Sequence, residues 1–299
     1  LVTKSQHSVR HLLGLDIGGT HVTAGLIRLA DSSLVPDSLV RMDVNSKGSA
    51  EEIIAVWVGT ISRMRRLFPG SFEHIGIAMP GPFDYEAGIS LIMGFDKYES
   101  IFRMNIRQVL ADRLGISPLS IRFKNDAAAF LEGEVLAGAA RGCCNCIGVT
   151  LGTGLGSAWS VNGRTEDAEL SVTPYLDGIA EDYLSTRWFV KRYFELTGKT
   201  VCNTKALVDC FDGNAAAAQV FEEFSGHFAV FLDSFIRGRQ PDMLVIGGNM
   251  AKAAPLFLEQ TRTKLSPAAA GIRIRLATLG ETAALIGGAG CWKEEYETA

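Results

Sequence analysis

Residues 11–27, HLLGLDIGGTHVTAGLI, run apolar, break at an Asp and a pair of glycines, and run apolar again. Apolar runs bounded by glycines predict two strands joined by a tight turn. At that turn Gly18 and Gly19 carry no side chain, so backbone N–H groups can approach a phosphate closely, and Thr20 adds a hydroxyl donor. Asp16, at the end of the first strand, would face such a polyanion only if a cation such as hydrated Mg²⁺ stood between them. The same residues also suit a plain hairpin closed by an Asx-type hydrogen bond.

A second stretch, residues 145–163, NCIGVTLGTGLGSAWSVNG, repeats the pattern of strand, Gly/Thr-rich turn and β-rich run. Similarity at so long a separation predicts an internal duplication into two α/β halves rather than a solenoid, with a boundary near residue 126. Gly152, Gly154 and Gly156, with Thr153 among them, are spaced G-x-G-x-G. A dinucleotide-binding turn needs G-x-G-x-x-G and a following helix, whereas SAWSVNGRT is β-rich with an Asn162-Gly163 hairpin signal, which argues against NAD. Two phosphate-type turns in one chain fit one nucleotide held from both halves. In LVIGGNMAKAAPLF, Gly247 and Gly248 stand between a strand and a helix start, where backbone could pass close to a ribose or adenine, or simply turn. Periodicity also predicts helices over 50–67, 104–114, 180–197, 214–237 and 251–265, a strand at HIGIAMP, and a glycine-containing helical tail.

The chain has 299 residues, 47% of them hydrophobic, which is enough for two cores. Its net charge of −4 comes from interspersed acids and bases, giving no electrostatic reason to expect nucleic acid or a membrane surface as partner. No apolar run reaches the roughly 18 residues a membrane span requires, and LVTKSQHSVRH lacks a signal-peptide apolar region, so a cytoplasmic location is expected. Six cysteines, three of them at 143, 144 and 146, do not form a disulfide framework; reduced thiols packed in the interior are expected, without zinc.

The segment FKNDAAAF places Asn125 and Asp126 where a strand meets a helix. As structure, an Asp there is an N-cap. As chemistry, it is a general base for a hydroxyl attacking a phosphate, kept ionised by the helix N-terminus. Both roles coexist only if Asn125 supplies the cap. Glu169 and Glu181 follow the second turn; carboxylates suit the vicinal hydroxyls of a sugar, although either residue could equally be a solvated surface acid.

In this order and spacing, LDIGGT, MPGPFD, KNDAAAF, LGTGLGS and VIGGN resemble the ROK (repressor, open reading frame, kinase) family of sugar kinases, bacterial glucokinases in particular, over nearly the whole chain. The resemblance implies two actin-like (ribonuclease H-like) domains, mixed sheets flanked by helices and hinged around a central cleft. These would be a smaller domain over 1–126 and a larger one over 127–299, the last helix (about 285–299) packing back on the first. It implies ATP with Mg²⁺, a hexose phosphorylated at C6, Asp126 as base, and Gly81, Asn125, Glu169 and Glu181 as sugar contacts. Asp16, Gly18, Gly19, Thr20, Gly152, Thr153, Gly154, Gly156, Gly247 and Gly248 would hold the nucleotide, with Asp16 reaching Mg²⁺ through water. Homodimers are common in the family.

Two departures stand out. Val172 occupies the place of a zinc-ligating His, and PYLDGIAEDY replaces the cysteine-rich stretch, so structural zinc is not expected. GFDKYES replaces the usual Pro-Asn-Leu, leaving Asp96 or Lys97 as substitutes for that contact. The family's repressors carry an N-terminal helix-turn-helix for which this sequence leaves no room, so a kinase is expected. Other acceptor sugars (N-acetylmannosamine, N-acetylglucosamine, allose, fructose) and a catalytically idle sugar sensor remain as rivals.

Overall fold

The computed structural model describes residues 11–297; the opening segment considered above as a signal peptide lies outside them, except for His11. The chain divides into two units, one running to Gly138 and resuming at Glu281, the other spanning Ala139–Gly280.

In the first unit β1 (His11–Ile17), β2 (His21–Arg28) and β3 (Val40–Asp43) form an antiparallel run, followed by α1 (Ala50–Leu67) and β4 (Ile75–Met79). A short hairpin of β5 (Phe83–Asp84) and β6 (Ile89–Ser90) leads to α2 (Ile106–Leu114), β7 (Ile121–Asn125) and α3 (Asp126–Ala137). The sheet order is β3-β2-β1-β4-β7, with β4 parallel to both β1 and β7. α1 starts where the sequence requires: Ser49 and Glu52 form a reciprocal capping box, and Ile53, Ile54, Trp57, Ile61 and Met64 bury one face. They pack with Leu13, Leu15 and Ile77 of the sheet.

The second unit begins with β8 (Asn145–Leu151), β9 (Leu155–Val161) and β10 (Arg164–Asp167), then a small hairpin of β11 (Pro174–Tyr175) and β12 (Gly178–Ile179). α4 (Ala180–Tyr183), α5 (Thr186–Thr197), α6 (Thr204–Asp209) and the long α7 (Ala215–Arg239) precede β13 (Met243–Gly247), α8 (Leu258–Lys264) and β14 (Arg273–Leu276). The order β10-β9-β8-β13-β14 repeats the topology of the first sheet. Its core is aromatic, with Phe221, Phe224 and Phe228 of α7 against Phe189 and Phe257.

Returning to the first unit, α9 (Thr282–Gly290) lies against α3, β1 and β4, and α10 (Lys293–Glu297) closes the described chain. Backbone meets backbone here: a Cβ on Gly287 would stand 1.8 Å from the Ala129 carbonyl oxygen, and one on Gly133 2.0 Å from that of Ala283. This contact keeps α3 in the first unit, so the division falls at Gly138 rather than near 126.

Three helices are shorter than their periodicity suggests. The 180–197 helix breaks at Leu184 and Ser185. Pro255, which cannot donate an intrahelical hydrogen bond, leaves 249–256 as a 3₁₀ turn ahead of α8. The tail breaks at Cys291 and Trp292. The cysteines do not all pack inside: Cys146, in β8, is buried, whereas Cys144, in the preceding loop, is exposed. Burial and the neighbouring Cys143 push the Cys146 thiol up to about 12.

Candidate active site

Ligands of open α/β sheets bind beyond the carboxyl ends of the strands, and most of the singled-out residues of the first unit lie there. The register sets one row across all the strands of the first sheet: Arg41 pairs with Thr23, Thr23 with Asp16, Asp16 with Ala78 and Ala78 with Lys124. A carboxylate in the middle of the row thus has cations at both ends.

Gly18, Gly19 and Thr20 form the turn between β1 and β2. The Gly18 N–H donates to the His21 carbonyl at 2.9 Å, and its carbonyl accepts from the buried Tyr98 hydroxyl at 2.5 Å. Gly19 and Thr20 are exposed, and a Cβ on Gly19 would meet nothing within 4 Å. Arg41 reaches this turn, donating to His21 Nδ1 at 3.1 Å and pairing with Glu281 at 3.0 Å.

Asp16 is pushed up from 3.8 to about 7 by burial first, then by the charges of Asp126 and Glu281, against a lowering by Arg41. Asp16 and Asp126, distant in sequence, are therefore electrostatic neighbours. Such a carboxylate is a hard oxygen donor with two further carboxylates, Asp126 and Glu281, in its electrostatic surroundings. That donor set fits Mg²⁺, which takes one or two protein carboxylates together with phosphates and water.

At the end of β7 the roles of the adjacent polar residues separate. Asn125 is buried and is the N-cap of α3: its Oδ1 accepts from the N–H groups of Ala127 and Ala128 at 2.8 and 3.1 Å. Asp126 is exposed in the first turn, one oxygen accepting from the Ala127 N–H at 2.9 Å. Gly81 stands beside Asn125, its Cβ position 4.0 Å from Asn125 Nδ2. Asp96 pairs with Lys47 on the surface.

In the second unit the turn Gly152-Thr153-Gly154 is closed by the Gly152 N–H donating to the Gly154 carbonyl at 3.0 Å. Gly156 lies within β9, paired with Thr150. Glu181 braces this turn: its Oε2 accepts from the Leu155 N–H at 3.0 Å, and Arg187 holds Oε1 at 2.6 Å. A Cβ on Gly154 would lie 2.6 Å from that carboxylate. Gly247 pairs with Thr150. Gly248, at φ 82°, rests on Leu151, where a Cβ would come within 2.3 Å of the carbonyl oxygen; only glycine fits there. Glu169 is exposed, at φ 53°, and makes none of these contacts.

Val172 is 60% exposed. Tyr175 hydrogen-bonds His227 Nδ1 at 2.9 Å, and both rings pack with Tyr183. Among the described residues, no group of three or more His, Cys, Asp or Glu is disposed to hold a metal, and no helix is long and apolar enough to cross a membrane.

The ROK family model matches residues 12–167, just over half of the chain. The chain belongs to the ROK family. It is 24% identical to N-acetyl-D-glucosamine kinase of Haemophilus influenzae over 82% of this chain and 86% of that protein. To glucokinase of Thermotoga maritima it is also 24% identical, over 95% of this chain and 97% of that one. The crystal structure of a ROK family glucokinase from Streptomyces griseus in complex with glucose and AMPPNP superposes with a TM-score of 0.75, covering 94% of this chain and 98% of that chain at 21% identity. The fold is thus that of the actin-like ATPases, mixed sheets flanked by helices.

Arg41, Glu281 and Tyr98 were not legible as site residues in this ROK sequence. Arg41 had one available signal, a lone cation in a β-rich run shortly after the first turn. Glu281 had another, an acid at the start of the glycine-containing tail helix.

Proposed function

We propose that this ROK chain is an ATP-dependent sugar kinase that transfers the γ-phosphate of ATP to a hexose hydroxyl, with glucose at C6 as the leading acceptor. The observation that carries the reading is the division of labour at the end of β7. Asn125 caps α3, so Asp126 stands exposed at a helix N-terminus without serving as the cap, beside Asp16 at the first glycine turn.

In this reading Asp126 accepts the proton of the sugar hydroxyl as its oxygen bonds to the γ-phosphorus and the bond to the departing ADP breaks. The helix N-terminus favours its ionised form. Gly81, Asn125, Glu169 and Glu181 are assigned to the sugar. Gly18, Gly19 and Thr20 in one unit, and Gly152 to Gly156 with Gly247 and Gly248 in the other, are assigned to the nucleotide. Asp16 holds Mg²⁺ through water; when bound, the ion offsets phosphate charge. The Haemophilus relative favours N-acetylglucosamine as the second reading for the acceptor.

A coupled ADP-release assay with Mg²⁺–ATP against glucose, mannose, fructose, allose, N-acetylglucosamine and N-acetylmannosamine tests this. One sugar should give turnover that Asp126→Asn lowers by at least about a hundredfold while sugar binding persists. Near-normal turnover in that variant removes Asp126 as base. ATP binding with no ADP release for any sugar replaces the kinase reading with a sensor.

A further inference from the structure

Tyr85 lies in the short hairpin segment after the cis Gly81-Pro82 bond, in the part of the first unit that the sugar reading uses. Its hydroxyl accepts from Asn125 Nδ2 at 3.1 Å and donates to the Met79 carbonyl at 3.1 Å, joining the ends of β4 and β7. A Cβ on Gly81 would lie 3.3 Å from the same oxygen. The Tyr85 main chain is itself anchored, because Arg107 Nη2 donates to its carbonyl at 3.1 Å while the guanidinium stands 5.9 Å from the centre of the Phe123 ring. The Tyr85 ring packs on Phe83, their centres 5.3 Å apart.

An amide side chain can rotate to exchange its donor and acceptor ends. Asn125 is held against this from two sides. The helix N–H groups take its oxygen, and the Tyr85 hydroxyl takes one N–H of its nitrogen. That hydroxyl has spent its own proton on Met79, so towards Asn125 it can only accept. We infer that Tyr85 is a positioning residue: it fixes the donor end of the Asn125 amide, and thereby sets sugar affinity without touching the reacting atoms. The inference rests on the assignment of Asn125 to the sugar.

Tyr85→Phe removes the hydroxyl and keeps the ring. The KM for the sugar should rise about tenfold, with the KM for Mg²⁺–ATP unchanged and kcat within about twofold of wild type. In a double-mutant cycle with Asn125→Ala, the double variant should bind sugar no more weakly than Asn125→Ala alone, because the Tyr85 effect passes through Asn125. A purely structural role would raise both KM values together and add to the Asn125 effect. An unchanged sugar KM in Tyr85→Phe, or additive effects, overturns the inference and leaves the kinase reading intact. Wild-type protein that neither binds nor phosphorylates any sugar of the panel overturns the kinase reading, and the positioning role with it. Equilibrium sugar binding, measured by calorimetry beside the kinetics, tells these failures apart.

Discussion

Asp16→Asn should make the protein more stable and inactive at once. The carboxylate is pushed up from 3.8 to about 7 in the folded chain by burial and by Asp126 and Glu281, whereas in the unfolded chain it titrates near 3.9. Between about pH 4 and pH 7 the folded state therefore holds a proton that the unfolded state has released. Because stability rises with pH only where the unfolded state binds more protons, stability here falls as pH rises through this window. Roughly three pH units at about 1.4 kcal/mol each set a ceiling near 4 kcal/mol, reached above pH 7. Solvent reaching this partly exposed group screens its interactions, so a gain of about 2 kcal/mol is expected from the neutral amide at pH 8, falling to about zero at pH 4. Urea midpoints of wild type and variant at pH 4, 6 and 8 read this directly, while Mg²⁺–ATP turnover of the variant should be lost. Equal midpoints at pH 8, or a variant less stable there, would refute the view that burial and the acidic neighbours make the ionised Asp16 carboxylate costly to the folded state.

Gly287→Ala should destabilise the first unit by about 3 kcal/mol, seen as a lowered urea midpoint, since the new methyl would stand 1.8 Å from the backbone oxygen of Ala129; an unchanged midpoint would show that α3 and α9 can separate freely. Gly154→Ala should raise the KM for Mg²⁺–ATP about tenfold and the sugar KM with it, because its methyl displaces the Glu181 carboxylate, which braces the second turn and is also assigned to the sugar. A rise confined to the sugar KM would instead make Glu181 mainly a sugar contact.

What the sequence disclosed was local. Glycine turns at strand ends, and the adjacent Asn125 and Asp126 where β7 meets α3, are readable because a turn or a cap depends on a few neighbouring residues. Helix breaks are less legible: Pro255 falls within an otherwise helical pattern of apolar residues, and nothing as strong as a proline marks the break at Leu184. The electrostatics could not be read at all. Arg41 reaches the first turn only through the registers of β3 on β2 and β2 on β1, and Glu281 arrives from the far end of the chain at the start of α9. Tyr85 escaped for the same reason: its partner Asn125 is distant in sequence and meets it only because β7 lies beside β4.

The duplicated topology sharpens the contrast between the units. At equivalent places in the two sheets, β1 carries Asp16 before its glycine turn and β8 carries Thr150 before its own. The outer strand of the first sheet ends at Asn125 and is followed directly by Asp126, whereas that of the second ends at Leu276 and is followed by Ala277. The same backbone built twice thus places interacting carboxylates at the strand ends of one copy and neutral residues at those of the other. Carboxylates placed together raise one another's affinity for a proton, and also for a metal ion. In the proposed reaction, acid–base and cation chemistry accordingly fall to the first unit, while the second would offer backbone donors from a turn held by Glu181. A reciprocal exchange tests this asymmetry: Thr150→Asp should leave an Asp16→Asn protein inactive, because the second sheet supplies no partner in the position of Asp126.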